Sequence, residues 1–325
     1  MKKLCLIIFI LLSYPAYSKF HFDFGGLKSI YSIDDRLLID DNTDEKIKKL
    51  SRSVAFIFFK DDLVDPNEAN NSTTIFSNLL QDDPPYGSNY CPTEKFASHH
   101  AYKKACSGFL VTKDILITAG HCFRSKNDCH RKLIAFDVRA EKETEKGFQI
   151  NNKDIFQCSK ILSVSNVNAD SDLDFAIIQL DHKADRPTLK FREAKKIEDD
   201  ASVYMIGHPL GLPLIYTSNA KVLDNSGENI FKATLDSFHG NSGSPVFNST
   251  NDWVEGVLVS GEADEEYDRE QKCNHYAHYK DDDVSKGEGV TRMTSILPFL
   301  RNGMINLDPA EELLNPDEPI SEQLY

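Results

Sequence analysis

The stretches GNSGSP at residues 240–245 and TAGHC at residues 118–122 are the most informative parts of this chain. They place a serine, Ser242, and a histidine, His121, in two separately recognisable settings. A serine hydroxyl is a poor nucleophile until a base takes its proton, and the base needs a third group to hold its tautomer. Asp174, within DLDFAII at residues 172–178, is the candidate for that group. The three side chains together predict acyl-transfer chemistry.

The three segments, in the order histidine, aspartate, serine, resemble the trypsin/chymotrypsin-like serine peptidases. Asn241, the Ser-Pro pair after Gly243 and the stretch IYSIDDR at residues 30–36 are similar to the bacterial glutamyl-endopeptidase branch of that family. The resemblance runs from about Ile30 to Leu300, which is most of the chain. Three motifs in the family's order are much more specific than any one of them.

The resemblance implies a role for each of these residues. Ser242 is expected to be the nucleophile, His121 the general base and Asp174 the group that orients the base. The backbone N–H groups of Gly240 and Ser242 are expected to form the oxyanion hole. Asp172 is a rival for Asp174, but only Asp174 is followed by a hydrophobic residue and alanine, as in the family.

Short runs rich in β-branched and aromatic residues, separated by turns, predict an all-β protein. The resemblance narrows this to two packed antiparallel six-stranded β-barrels of the chymotrypsin-like fold, with the site in the cleft between them. We expect a peptidase domain at residues 30–303, with barrel one at about 50–185 and barrel two at about 196–293. A short closing helix is expected at Thr294–Arg301, a long surface insertion at 61–105 and an acidic tail at 304–325.

Residues 1–18 have the pattern of a secretory signal: a basic start, a short apolar run and small residues at its end. Residues 19–29 are a candidate propeptide, cut close to Ser29 or Ile30 by resemblance to the bacterial branch. These features predict a secreted, periplasmic or extracellular protein without a membrane anchor. Because export favours oxidation, the six cysteines after the signal predict three disulfides.

The resemblance pairs Cys106 with Cys122, beside the histidine. For the other four cysteines we expect Cys129 with Cys158 and Cys91 with Cys273, and two other pairings remain open. Zinc is a weaker alternative suggested by the His-Cys and Cys-His steps at 121–122 and 129–130. We expect no metal and no cofactor.

The chain of 325 residues is 40% hydrophobic and carries a net charge of −14. It is long enough to bury a large core, and its acidity argues against nucleic acid or an anionic membrane as a partner. We expect a monomer whose partners are protein or peptide substrates. The acidic segment 262–286 is expected to be a solvated loop tied by a disulfide, with calcium binding there only a weak hypothesis.

Asp236, six residues before Ser242, falls where the family's arginine- and lysine-specific members place a carboxylate. Ser237, Gly261 and Gly289 match other residues of that pocket, and the two glycines are expected to leave it open. The prediction is cleavage after Arg or Lys, because a buried carboxylate favours a cationic side chain. Alternatively, Asp236 bonds neighbouring backbone and never meets substrate.

Glutamyl specificity, which the branch suggests, would want a histidine where Leu258 and Val259 stand. Asn241 replaces the aspartate that captures a new amino terminus in many relatives, so activation must differ. Val259 stands where many relatives place a serine that hydrogen-bonds the triad aspartate, so Asp174 needs another donor or water. A non-catalytic binding protein and an esterase remain as the other function classes.

Overall fold

The computed structural model describes residues 30–31, 33–42, 44–67, 69–82, 89–167, 172–280 and 286–305. The predicted signal at 1–18, the candidate propeptide at 19–29 and residues 306–325 of the predicted tail lie outside these residues. Most described elements are strands, and three are α-helices.

The first barrel closes from six antiparallel strands. These are Val54–Phe59, Cys106–Leu110, Ile115–Thr118, Lys132–Phe136, Ile155–Ser165 and Phe175–Leu180. Closure occurs because Val54–Phe59 pairs with Cys106–Leu110 on one side and with Lys132–Phe136 on the other. Its apolar side chains fill the barrel interior and the layer outside it, so the strand is buried on both faces.

The second barrel also has six strands. These are Ser202–Gly207, Ile215–Asp224, Ile230–Ala233, Pro245–Asn248, Val254–Ser260 and Glu288–Arg292. Ser202–Gly207 closes it by pairing with both Ile215–Asp224 and Pro245–Asn248. The polar segment 181–201 connects the barrels. Two six-stranded antiparallel barrels confirm the fold class predicted from the sequence.

The N-terminal segment, residues 30–42 apart from Ser32, lies along the second barrel. Leu37–Leu38 adds a seventh strand to Ile215–Asp224. Ile30–Tyr31 pairs in parallel with His278–Tyr279. This segment is therefore anchored on the second barrel through Leu37–Leu38 and on the segment 262–286 through Ile30–Tyr31.

The insertion at 61–105 contains more regular structure than its composition suggests. Leu63–Asn67 and Ser72–Phe76 form a four-stranded sheet with Gly147–Asn151 and Glu143–Thr144. The sheet is stable despite its polar residues because Ile75 packs with Phe148 in a buried cluster. Asn78–Leu79 pairs with His100–Ala101 farther along the insertion.

The acidic segment 262–286 likewise contains a hairpin, which the sequence had presented as a solvated loop. Glu265–Asp268 pairs with Cys273–Tyr276. Cys273 and Tyr276 are buried. The disulfide from Cys273 to Cys91 ties this hairpin to the insertion at 61–105.

The other two disulfides join Cys106 to Cys122 and Cys129 to Cys158. All three pairs are those expected from the sequence. Such bridges are typical of proteins outside the reducing cytoplasm.

The predicted closing helix is present and runs from Met293 to Ile305. Its apolar residues Met293, Ile296 and Leu300 pack into the core cluster that includes Phe175. Two short helices, Glu45–Ser51 and Lys126–Arg131, begin after the capping side chains of Asp44 and Ser125. Among the described residues, no helix has the length and apolarity needed to cross a bilayer.

Candidate active site

His121 lies in a short 3₁₀ turn, Gly120–Cys122, directly after the strand Ile115–Thr118. The disulfide from Cys122 to Cys106 ties this turn to the neighbouring strand Cys106–Leu110. Part of the His121 side chain reaches solvent, with 28% of its area exposed. The fold therefore holds the imidazole at the end of a rigid strand while leaving it accessible to a substrate.

Asp174 reaches His121 because its strand, Phe175–Leu180, pairs antiparallel with Ile115–Thr118. His121 Nδ1 lies 2.7 Å from Asp174 Oδ2, and the His121 backbone N–H donates to Oδ1 at 3.0 Å. Both carboxylate oxygens are thus used by one histidine. The His121 backbone N–H is therefore a donor to Asp174, at a site where Val259 cannot provide the hydroxyl that a serine would supply.

Gly120 makes this approach possible. A Cβ at residue 120 would lie 1.9 Å from Ser165 O and 2.9 Å from Asp174 Oδ1. Thr291 Oγ1 donates to the Asp174 carbonyl at 3.1 Å, which anchors the aspartate to the second barrel. The carboxylate itself is buried.

Ser242 lies in a tight turn just before the strand Pro245–Asn248. Its carbonyl accepts a hydrogen bond from Ser107 N at 2.7 Å and lies 3.9 Å from Cys122 Sγ. These contacts place the serine turn against the residue that follows His121. Asp174 and the serine turn, which are far apart in the sequence, therefore both lie beside the turn Gly120–Cys122 that carries His121.

Two glycines shape the serine turn. Gly243 has φ +92°, and a Cβ there would lie 2.0 Å from Ser107 O. Gly240 has φ +96°, and a Cβ there would lie 2.5 Å from His208 O. Only glycine combines this backbone conformation with such close approach.

The amides around the serine turn are directed differently from one another. Those of Asn241 and Gly243 donate to the carbonyls of Phe238 and Leu258. The carbonyl of His239 accepts from Leu210 N. Because the C=O and N–H of a trans peptide point in opposite directions, the Gly240 N–H is directed away from Leu210. This orientation is compatible with the predicted oxyanion hole.

Two residues that support the serine turn were not identified from the sequence. Ser107 Oγ donates to the Gly240 carbonyl at 2.9 Å and accepts from His208 N at 3.1 Å. Asp264 Oδ2 accepts from His239 N at 2.9 Å. The position of Ser107 next to Cys106 was the sequence signal available for it. Nothing in the sequence around Asp264 indicates its contact with His239.

Asn241 is fully buried, and its Oδ1 lies 3.3 Å from Ser244 Oγ. Gly207 faces this pair, since a Cβ there would lie 2.5 Å from Asn241 Oδ1. The side chain that replaces the usual aspartate is therefore packed inside the second barrel.

The predicted specificity residues divide into two groups. Asp236 Oδ1 accepts from Tyr31 N at 2.7 Å, so this carboxylate faces the N-terminal segment. Ser237 Oγ instead donates to Glu288 Oε2 at 2.7 Å. This hydrogen bond from the Tyr31 backbone is the kind of contact expected if the Asp236 carboxylate stabilises the fold and does not bind substrate.

The space beside Gly261 is occupied by a carboxylate that sequence reasoning missed. A Cβ at Gly261 would lie 2.0 Å from Glu288 Oε2. Glu288 is fully buried, and its Oε1 accepts from Glu262 N at 3.2 Å. At Gly289 a Cβ would meet Ser260 Oγ at 2.3 Å. A neighbouring side chain thus fills the space beside each glycine, whereas the sequence predicted that the two glycines would leave the pocket open.

Cys106, His121 and Cys122 form a group whose possible metal-ligand atoms lie within 4.8 Å of one another. The two sulfurs are bonded to each other as a disulfide and are not thiolates. The grouping therefore reflects the covalent tie beside the histidine.

The profile of the trypsin-like peptidase domain matches residues 106–254, which contain His121, Asp174 and Ser242. This match supports a trypsin/chymotrypsin-like peptidase domain in that part of the chain.

Two solved structures are similar to this chain. One is a Glu endopeptidase in complex with MPD, with 16% identity, 84% of this chain and 97% of that chain covered, and a TM-score of 0.49. The other is Rv3671c from M. tuberculosis H37Rv, an inactive serine-to-alanine mutant, with 14% identity, coverage of 88% and 100%, and a TM-score of 0.44. No curated protein matches the chain significantly by sequence.

Proposed function

We propose that this protein is a secreted serine endopeptidase in which His121, Asp174 and Ser242 form the catalytic triad. The observation that carries the proposal is the double contact of Asp174 with the ring and backbone nitrogens of His121. The serine turn lies against the neighbouring Cys122. Secretion is supported by the signal-like sequence at 1–18 and by the three disulfides.

The hydrogen bond from His121 Nδ1–H to Asp174 fixes the tautomer in which Nε2 carries a lone pair. Nε2 then accepts the Ser242 proton as the hydroxyl oxygen attacks the substrate carbonyl carbon. The buried carboxylate stabilises the imidazolium formed in this step. His121 returns the proton to the leaving amine, and water hydrolyses the acyl-enzyme by the same route.

The negative oxygen of the tetrahedral intermediate needs donors that are already in position. We assign this role to the N–H groups of Gly240 and Ser242. Ser107 and Asp264 hold the flanking peptides, since they bond the Gly240 carbonyl and the His239 amide.

A fluorophosphonate probe tests the proposal. We expect the processed protein to be labelled at one serine, Ser242, because only an activated serine reacts rapidly with this reagent. Mass spectrometry of the labelled peptide identifies the site. Ser249 is an exposed serine that follows the strand Pro245–Asn248. Ser249→Ala should be labelled to the same extent as the parent protein. A well-folded, processed protein that takes up no probe would contradict catalysis and favour a binding protein.

For specificity, we propose that Glu288 selects Arg or Lys before the cleaved bond. Glu288 is the carboxylate that rests on Gly261, the residue expected to border the entering substrate side chain. A buried carboxylate attracts a guanidinium or ammonium and repels glutamate. This assigns to Glu288 the role that the sequence suggested for Asp236.

We expect Glu288→Gln to lower kcat/KM for Arg and Lys peptides by about 100-fold, or about 2.7 kcal/mol. The isosteric amide keeps the volume and removes the charge. Asp236→Asn is the matched control and should change this preference little. Peptide-library cleavage measures both. If Glu288→Gln gained cleavage after large side chains while cleavage after Arg and Lys stayed unchanged, Glu288 would only fill space in the pocket.

A further inference from the structure

A cavity of about 300 Å³ lies where the N-terminal segment crosses the second barrel. Asp35 contributes to it from the segment and Asp236 from the barrel. Ser218, Asn219 and Thr234 supply further polar side chains to its lining. The cavity therefore brings together two carboxylates from distant parts of the chain.

Each carboxylate has one oxygen in use and one that is not. Asp236 is 4% exposed; its Oδ1 accepts from Tyr31 N, and its Oδ2 is buried without a hydrogen-bond partner among the described residues. Asp35 Oδ2 accepts from Ser218 Oγ at 2.8 Å and from Asn219 Nδ2 at 2.6 Å. Asp35 Oδ1 is buried with no partner within the same part of the chain. Burying such oxygens is costly unless something binds them.

Two cations lie near these carboxylates. Arg36 donates to Asp34 through Nε at 2.9 Å and Nη2 at 2.7 Å. Its guanidinium also lies 4.3 Å from the ring centroids of both Phe238 and Tyr276. Lys95 Nζ is likewise 3.6 Å from Asp34. Arg36 Nη1 has no hydrogen-bond partner among the described residues, and the charge of Arg36 also acts on Asp236. When Asp34, Asp35 and Asp236 are all ionised, they outnumber Arg36 and Lys95 by one negative charge.

Burial raises the pKa of Asp236 to about 7, with Asp35 and Asp34 adding to the rise and the Tyr31 amide and Arg36 opposing it. Near neutral pH the carboxyl is therefore divided between its protonated and ionised forms. A bound cation would favour the ionised form and displace the proton.

We propose that Asp35 and Asp236 bind a calcium ion in this cavity through their unused carboxylate oxygens. Oxygen donors in an irregular arrangement suit calcium, which takes six to eight ligands and accepts water among them. The lining offers neither the thiolate nor the imidazole that zinc prefers. The ion would join the N-terminal segment to the chain six residues before Ser242.

Calorimetry and thermal unfolding of the processed protein test this site, in the Ser242→Ala background to prevent autolysis. We expect one calcium ion to bind with a Kd of about 10⁻⁴–10⁻³ M, since only two carboxylates take part. Calcium at about ten times Kd should raise Tm by about 2–4 °C over EDTA. At about pH 7 the binding heat should depend on the buffer, because Asp236 releases a proton.

Asp35→Asn and Asp236→Asn should each abolish the calcium-dependent shift, whereas Asp61→Asn, at an exposed carboxylate, should retain it. The Asp236 variant keeps the test valid if the Asp35 variant fails to fold. Because the folded-state pKa of Asp236 is raised, its ionisation lowers stability as pH rises through about 7. In EDTA at about pH 8, Asp236→Asn should therefore have a Tm at least as high as the parent.

Absence of calcium-dependent heat and Tm change in the parent would overturn the proposal. An undiminished shift in Asp236→Asn would also overturn it, because the ion would then bind elsewhere. Neither readout depends on peptide hydrolysis, so this site and the proposed catalytic function stand or fall separately.

Discussion

Replacing Ser242 by alanine is expected to lower kcat for peptide hydrolysis by about 10⁶-fold, or about 8 kcal/mol of transition-state stabilisation. The reason is that the substitution removes the nucleophile and leaves His121 with no proton to accept. Any remaining rate would come from substrate binding and the oxyanion donors. Initial rates on a cleavable peptide, with Tm as a check of folding, measure the effect.

Ser249→Ala is the matched control for this prediction. Ser249 follows the same strand, Pro245–Asn248, but is exposed to solvent. We expect its removal to change kcat by less than about 3-fold, as for an ordinary surface substitution. A Ser242 variant that kept one hundredth of the parent kcat would rule out an acyl-enzyme at this residue.

The two barrels could be predicted because their strands are continuous apolar runs. Val54–Phe59 and Phe175–Leu180 are buried almost throughout, and runs of this kind identify strands locally. Leu63–Asn67 carries polar residues and a register shift between Val64 and Asn67, so its pairing is set by its neighbours. The four-stranded sheet therefore became apparent only in three dimensions.

The triad candidates could likewise be identified, since each lies within a short recognisable motif. The specificity region is different, because its contacts join distant parts of the chain. Tyr31 meets Asp236 across 205 positions, and Ser237 meets Glu288 across 51. One sequence with its motifs does not determine which of two carboxylates approaches Gly261.

Replacing Asp174 by asparagine is expected to lower kcat by about 10⁴-fold with little change in KM. Asp174 accepts two hydrogen bonds from His121, one from the ring and one from the backbone. An asparagine that keeps its oxygen on the backbone N–H must turn its NH₂ toward Nδ1. The ring then carries its proton on Nε2 and cannot accept one from Ser242.

The loss of charge adds to the loss of the tautomer, because the asparagine no longer stabilises the imidazolium that forms during attack. Fluorophosphonate labelling should slow in parallel with kcat, while binding of a peptide product should stay within about 3-fold of the parent. This split separates an effect on His121 from a collapse of the cleft.

Asp172→Asn provides the comparison at the rival position. Asp172 Oδ1 accepts from Asn229 Nδ2 at 2.7 Å in an exposed setting, and an amide in its place changes only a surface contact. We expect its kcat to remain within about 3-fold of the parent. A larger loss at Asp172 than at Asp174 would reverse the assignment, since the carboxylate that orients His121 would then be the exposed one.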